Sequence, residues 1–263
     1  MNSFDVVGED ASLPVVVHAP HGGTWIPGEE RPAFLLDDAA LTEEIRLMTD
    51  HGTDRLAEAT ADLGAAVFVN RLSRLVVDPE RFPDEREEME AVGMGFAYTA
   101  TSDGKPLRHL SPADRAGLKE RWYDPYAAAL ERLVGEVRER FERCVIVDLH
   151  SYPSRALPYE PRGGAPRPDV CIGTDEFHTP EWLAELVEAS CRQGGLGHSR
   201  NTPFAGTYVP LSMYRQDRTV LSVMLEVRRD VYLDEPTARP TAGETRVGEL
   251  IAAVVQGAGR GRG

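Results

Sequence analysis

The chain of 263 residues is 41% hydrophobic and 27% charged, with a formal net charge of −14. That size and composition fit one large α/β unit whose core needs no staples, and the negative balance argues against the basic face that nucleic acid or an anionic membrane surface requires. Three widely spaced cysteines without a Cys-x-x-Cys pair exclude a thiolate zinc knuckle, and with no basic-then-apolar leader and no apolar run of about 18 residues a cytoplasmic protein is expected.

Residues 1–12 are polar and are expected to form a loose leader. Val15 to Ala19 reads as a buried strand. Pro20-His21-Gly22-Gly23-Thr24 is the turn that ends it, because glycine permits tight backbone geometry and close approach of a ligand. Thr42 is a candidate cap for a helix, or a broken pair of helices, that carries Asp50, His51 and Asp54 and stops at Gly64. Ala65 to Asn70 is the next strand, and a short strand from Arg71 to Asp78 follows. An acidic, turn-rich stretch and a loop or hairpin lead to Ser111-Pro112, a cap followed by proline at the first helical position. That helix runs to about Glu142, with a kink at Pro125.

Val145-Ile146-Val147-Asp148-Leu149-His150-Ser151 is a buried strand that ends in polar chemistry. After an irregular stretch, Val170 to Gly173 forms a short strand, and a helix runs from Thr179-Pro180-Glu181 to about Cys191. Residues 198–210 are loop or edge strand. Residues 219–228 form the last buried strand, and a helix from Ala242 to Val255 closes the chain before a disordered tail at 257–263. Strands alternating with helices predict a mainly parallel sheet in a single α/β domain.

In such folds ligands collect at the carboxyl ends of strands. His21 and His150 both stand there, and neutral imidazole is a common metal ligand. Catalytic zinc takes three protein ligands and keeps one position open. Asp50 is the best third ligand, since it can fold back towards the His21 turn. Asp148 could hold a ligand histidine in one tautomer, or face the site itself, because residues two apart on a strand share a face. His18 is expected in the core, and His109, His178 and His198 at the surface.

Glu226 lies between Leu225 and Val227, where an unpartnered carboxylate is costly. It suits a general base whose pKa burial would raise; Arg228, on the same face, could instead pair with it or contact substrate. Arg71, Arg74 and Arg81 could steady a developing oxyanion and hold a substrate carboxylate. The loop at Pro203-Phe204-Ala205-Gly206-Thr207 could line a pocket. No Gly-x-Ser-x-Gly elbow, Walker loop or His-Glu-x-x-His signature occurs.

In this order the motifs Ala19-Pro20-His21-Gly22-Gly23, Ser73-Arg74-Leu75-Val76-Val77-Asp78 with Arg81, Asp148-Leu149-His150-Ser151, Pro203-Phe204-Ala205-Gly206 and Leu225-Glu226 make the chain resemble the N-formylglutamate amidohydrolase family. The resemblance covers about Val15 to Glu235. It implies a three-layer α/β/α fold around a mixed sheet, phosphorylase/hydrolase-like and akin to zinc exopeptidases. It also implies hydrolysis of a small anionic acyl-amino acid at zinc or another divalent metal. Carried over by position, His21, Asp50 and His150 are metal ligands, Glu226 the base, and Arg74 and Arg81 substrate contacts, with Arg71, Arg228 and Thr207 further candidates. A non-catalytic protein binding an anionic metabolite, and a peptidase or cell-wall amidase, are the competing expectations.

Overall fold

The computed structural model describes residues 2–160 and 162–261. Seven strands form one mixed sheet in the order β1 (Phe4–Val7), β3 (Ala66–Asn70), β2 (Val15–Ala19), β4 (Cys144–Tyr152), β7 (Val220–Arg228), β5 (Val170–Gly173) and β6 (His198–Arg200). The four central strands are parallel. β1 joins β3 antiparallel, and β5 joins β7 antiparallel. The expected leader is therefore partly an edge strand, with Phe4 opposite Asn70. β3 lies on one side of β2 and β4 on the other. The chain thus changes direction across the sheet at β2, and a crevice opens between the carboxyl ends of β2 and β4.

Alternation along the strands sorts side chains onto two faces. Val15, Val17, Val145, Val147, Val223 and Leu225 pack on α2 (Thr53–Glu58), α5 (Glu181–Gln193) and α6 (Gly243–Arg260). Val16, Cys144, Ile146 and Val220 face the opposite layer, where α4 (Asp124–Phe141) supplies Tyr126, Leu130, Leu133 and Val137. The result is a three-layer α/β/α arrangement. On the α4 side, the same alternating positions become polar towards the strand ends: His18 on β2, Asp148 and His150 on β4, Glu226 on β7. Register aligns them, with His18 opposite Asp148 and His150 opposite Glu226.

A third apolar cluster lies outside the sheet and includes Leu72, Leu75, Val76, Val77, Phe96, Tyr98 and Tyr123, with Leu41 and Met48 of α1 (Asp38–Met48). The expected strand from Arg71 to Asp78 does not form. Its apolar residues turn into this cluster instead, and among the described residues the segment's one β-bridge is the isolated pair Trp25 and Leu72. Asp37, not Thr42, caps α1, accepting from the Ala40 N–H at 2.8 Å. Ser111 and Asp114 form a capping box at α3 (Pro112–Leu118), and one wide turn at Lys119–Tyr123 joins it to α4 where a kink was expected. α6 runs on through the expected tail to Arg260; residues 262–263 lie outside the described residues. Among the described residues no helix is long and apolar enough to cross a membrane.

Candidate active site

The sheet brings three donors to one point. His21 follows β2, His150 stands near the end of β4, and Asp50 lies in the turn between α1 and α2. The Asp50 N–H donates to the His21 carbonyl at 3.0 Å, so the backbone itself holds that turn over the strand end. His21 Nδ1 is 3.2 Å from His150 Nδ1, His150 Nδ1 is 3.3 Å from Asp50 Oδ2, and His21 Nδ1 is 3.7 Å from the same oxygen. A tetrahedral zinc with bonds of about 2.0–2.1 Å sets its ligand atoms roughly 3.4 Å apart. The three atoms match that spacing, and two imidazoles with one carboxylate are donors zinc accepts.

Each imidazole shows its other nitrogen to a carboxylate. His21 Nε2 lies 2.9 Å from Asp78 Oδ1, and Asp78 is held in turn by Arg74 (Nη2 at 2.7 Å) and the Tyr98 hydroxyl at 2.7 Å. A proton on Nε2 donated to Asp78 leaves the Nδ1 lone pair for a cation. His150 Nε2 is 3.1 Å from Asp148 Oδ1 and 3.3 Å from Glu80 Oε2, but off the hydrogen-bonding direction, and it has no partner. Asp148 also meets His18 Nδ1 at 3.1 Å and accepts from the Tyr208 N–H. His18 therefore belongs to the polar cluster and not to the apolar core.

Electrostatics point the same way. Burial works against charge on His150, but Glu80, Asp148 and Asp50 outweigh it and raise its pKa well above the ordinary value. His21 is also raised: burial and Arg74 oppose its charge, and Asp78 and Asp50 prevail. Asp50, despite burial, is held well below the usual carboxylate range by the two histidines. Crowded carboxylates thus make the imidazoles hold protons where a metal would supply the positive charge.

These groups line a pocket of about 370 Å³. Glu226 stands in it with a partly exposed edge, but its Oε2 is buried without a hydrogen-bond partner. Burial pushes its carboxyl up to about 7. Arg74, Arg81 and Thr207 line the same pocket, and Thr207 Oγ1 is hydrogen-bonded to Ser222 Oγ at 2.6 Å.

Two expected substrate contacts lie elsewhere. Arg71 pairs with Asp5 at 2.7 Å, with Glu58 and with Asp54 on the far side of the His21 turn. Arg228 pairs with Asp169 and Asp230 at the sheet end, so it neither reaches the pocket nor neutralises Glu226. His178, expected at the surface, is buried, with Nδ1 2.7 Å from the Val220 carbonyl. Sequence reasoning missed Arg229, and it marked Glu80 only as an acid beside the candidate substrate arginines, with no role in the site. Arg229 follows Arg228 directly, but a one-turn helix at Arg229–Val231 swings it back to Asp50 at 3.3 Å and to the Leu47 carbonyl at 2.8 Å.

A model of the N-formylglutamate amidohydrolase family matches residues 13–233, which include every one of these site residues. The chain belongs to that family. Among N-formylglutamate amidohydrolase relatives, two N-formylglutamate deformylases are each 28% identical to it. The one from Pseudomonas aeruginosa aligns over 93% of this chain and 90% of its own, the one from Pseudomonas putida over 85% and 83%. The crystal structure of N-formylglutamate amidohydrolase from Ralstonia eutropha JMP134 shares the fold with a TM-score of 0.83 and 27% identity, over 98% of both chains.

Proposed function

We propose that this family member is a zinc-type, metal-dependent amidohydrolase that removes the formyl group from an N-formyl amino acid. The observation that carries the reading is the convergence of His21 Nδ1, His150 Nδ1 and Asp50 Oδ2 beside the unpartnered carboxyl of Glu226. The family match and the names of the Pseudomonas and Ralstonia relatives support the reaction class.

When bound, the metal would polarise the formyl carbonyl and lower the pKa of water. Glu226 takes a proton from the attacking water; its raised pKa suits that task. It then delivers the proton to the amide nitrogen as the C–N bond breaks, giving formate and the free amino acid. Arg74 uses Nε and Nη2 on Asp78 and retains Nη1 to steady the carbonyl oxygen as charge develops. Arg81 holds the substrate carboxylate. Asp78 orients the His21 imidazole through its Nε2.

The test is metal analysis of the purified protein together with an assay for formate release from N-formyl amino acids. A protein that neither retains a divalent metal nor releases formate sinks the reading and leaves a non-catalytic binding protein.

A further inference from the structure

Three arginines line the pocket, and two are already committed. Arg74 donates to Asp78 through Nε and Nη2. Arg229 donates to the Leu47 carbonyl, to Asp50 and to Ser151. Arg81 makes no side-chain hydrogen bond among the described residues; its nearest carboxylate oxygens, on Glu87 and Asp78, lie 3.7 and 3.8 Å away. The pocket therefore has one guanidinium free to grip an anion.

The acids tell the complementary story. Arg74 is cancelled by Asp78, Arg229 by Asp50, and Arg167 by Glu160. What remains is Arg81 against Glu80, Asp148 and Glu226. A divalent metal brings that count to zero, and Arg81 is then the single pocket guanidinium without a hydrogen-bonded partner among the described residues: it can pair with one substrate carboxylate, and a second has no guanidinium of its own. Glu80 sharpens the point, because its Oε1 is buried without a hydrogen-bond partner. A carboxylate side chain brought beside it would be desolvated next to a like charge. The rest of the wall is rich in rings: Phe82, Tyr123, Tyr159, Phe204, Tyr208 and Tyr214. Phe82 and Tyr214 already meet edge to face, with centroids 6.2 Å apart, and aromatic side chains pair favourably in such arrangements. A volume of about 370 Å³ lies within the range of small-molecule pockets.

We infer that the N-acyl amino acid taken by this pocket has an uncharged aromatic side chain, with Arg81 holding its single α-carboxylate, and is not a dicarboxylate such as N-formylglutamate. This rests on the amidohydrolase reading above. The experiment compares kcat/KM of the metal-loaded enzyme for N-formyl derivatives of L-tyrosine, L-phenylalanine, L-glutamate and L-lysine. An aromatic substrate should exceed N-formylglutamate by at least about tenfold. Glu80→Gln should narrow that gap by lowering KM for N-formylglutamate. A glutamate or lysine derivative that matches or exceeds the aromatic ones overturns the inference and leaves the amidohydrolase reading standing. If no derivative is hydrolysed, that reading fails instead. Calorimetric binding of free L-tyrosine and L-glutamate then decides the inference: tighter tyrosine supports it, and equal or tighter glutamate overturns it.

Discussion

His18, Asp148, His150 and Glu226 stand on strands whose register is set by the sheet's hydrogen bonds, whereas Arg74, Asp78, Glu80 and Arg81 stand on a strandless segment held by an apolar cluster of its own. The first group supplies one of the three donors, His150, and the carboxyl proposed as the base. The second backs one imidazole and lines the pocket. In the reading proposed above, the base and one donor sit on the sheet, and the arginines that would meet the carbonyl oxygen and the substrate carboxylate sit off it.

Variants can break this division or sharpen it. The largest expected effect is that of His150→Ala on the sheet: stoichiometric metal is lost in mass-spectrometric metal analysis, and kcat/KM falls by more than ~10⁴-fold. Full metal content in that variant would move the centre away from the strand ends. Glu226→Gln should retain metal and lose ~10²- to 10⁴-fold in kcat. The base must be ionised to act, so the wild-type rate rises with pH through a limb at or below about 7, a bound cation drawing it downward. That limb should vanish from the rate profile of the variant.

Asp78→Asn tests where the two regions meet. It leaves Arg74 buried without its counter-charge and loosens His21, so metal affinity should fall by roughly 10- to 100-fold and stability by about 3–5 kcal/mol in denaturant titrations. Within the segment, Arg81→Ala should raise KM by about 10- to 100-fold with little change in kcat, the worth of a charge-assisted hydrogen bond. Arg71→Ala, ten residues away in the same segment, should leave KM unchanged and cost at most about 1 kcal/mol, because its ion pairs are partly solvated.

The same division explains what could be read from the residues. At the strands a continuous apolar run gives way to polar residues near the carboxyl end, and that break marks His21, His150 and Glu226. Alternation also left Asp148 able to face the site, and it does. The segment after β3 has no such rule. Leu75-Val76-Val77 reads as a strand, but its partners are Phe96, Tyr98 and Tyr123, which only tertiary packing can bring together. Arg71 and Arg81 look alike in the chain, and nothing local says that one turns to Asp5 and Glu58 while the other enters the pocket. Arg228 fails for a similar reason: Asp169 comes to it from a loop far along the chain.

The bond from the Asp50 N–H to the His21 carbonyl has a further consequence. Main chain sets the backbones of two of the three donor residues against each other, and Asp78 and Arg229 hold their side chains. On the proposed reading an arriving ion would order no new backbone at that turn and would forgo the large entropic toll of sites that fold around their metal. Stripping with a chelator should then leave the far-ultraviolet dichroism unchanged, and reloading should follow the rate of entry through the pocket mouth and not the slower clock of refolding.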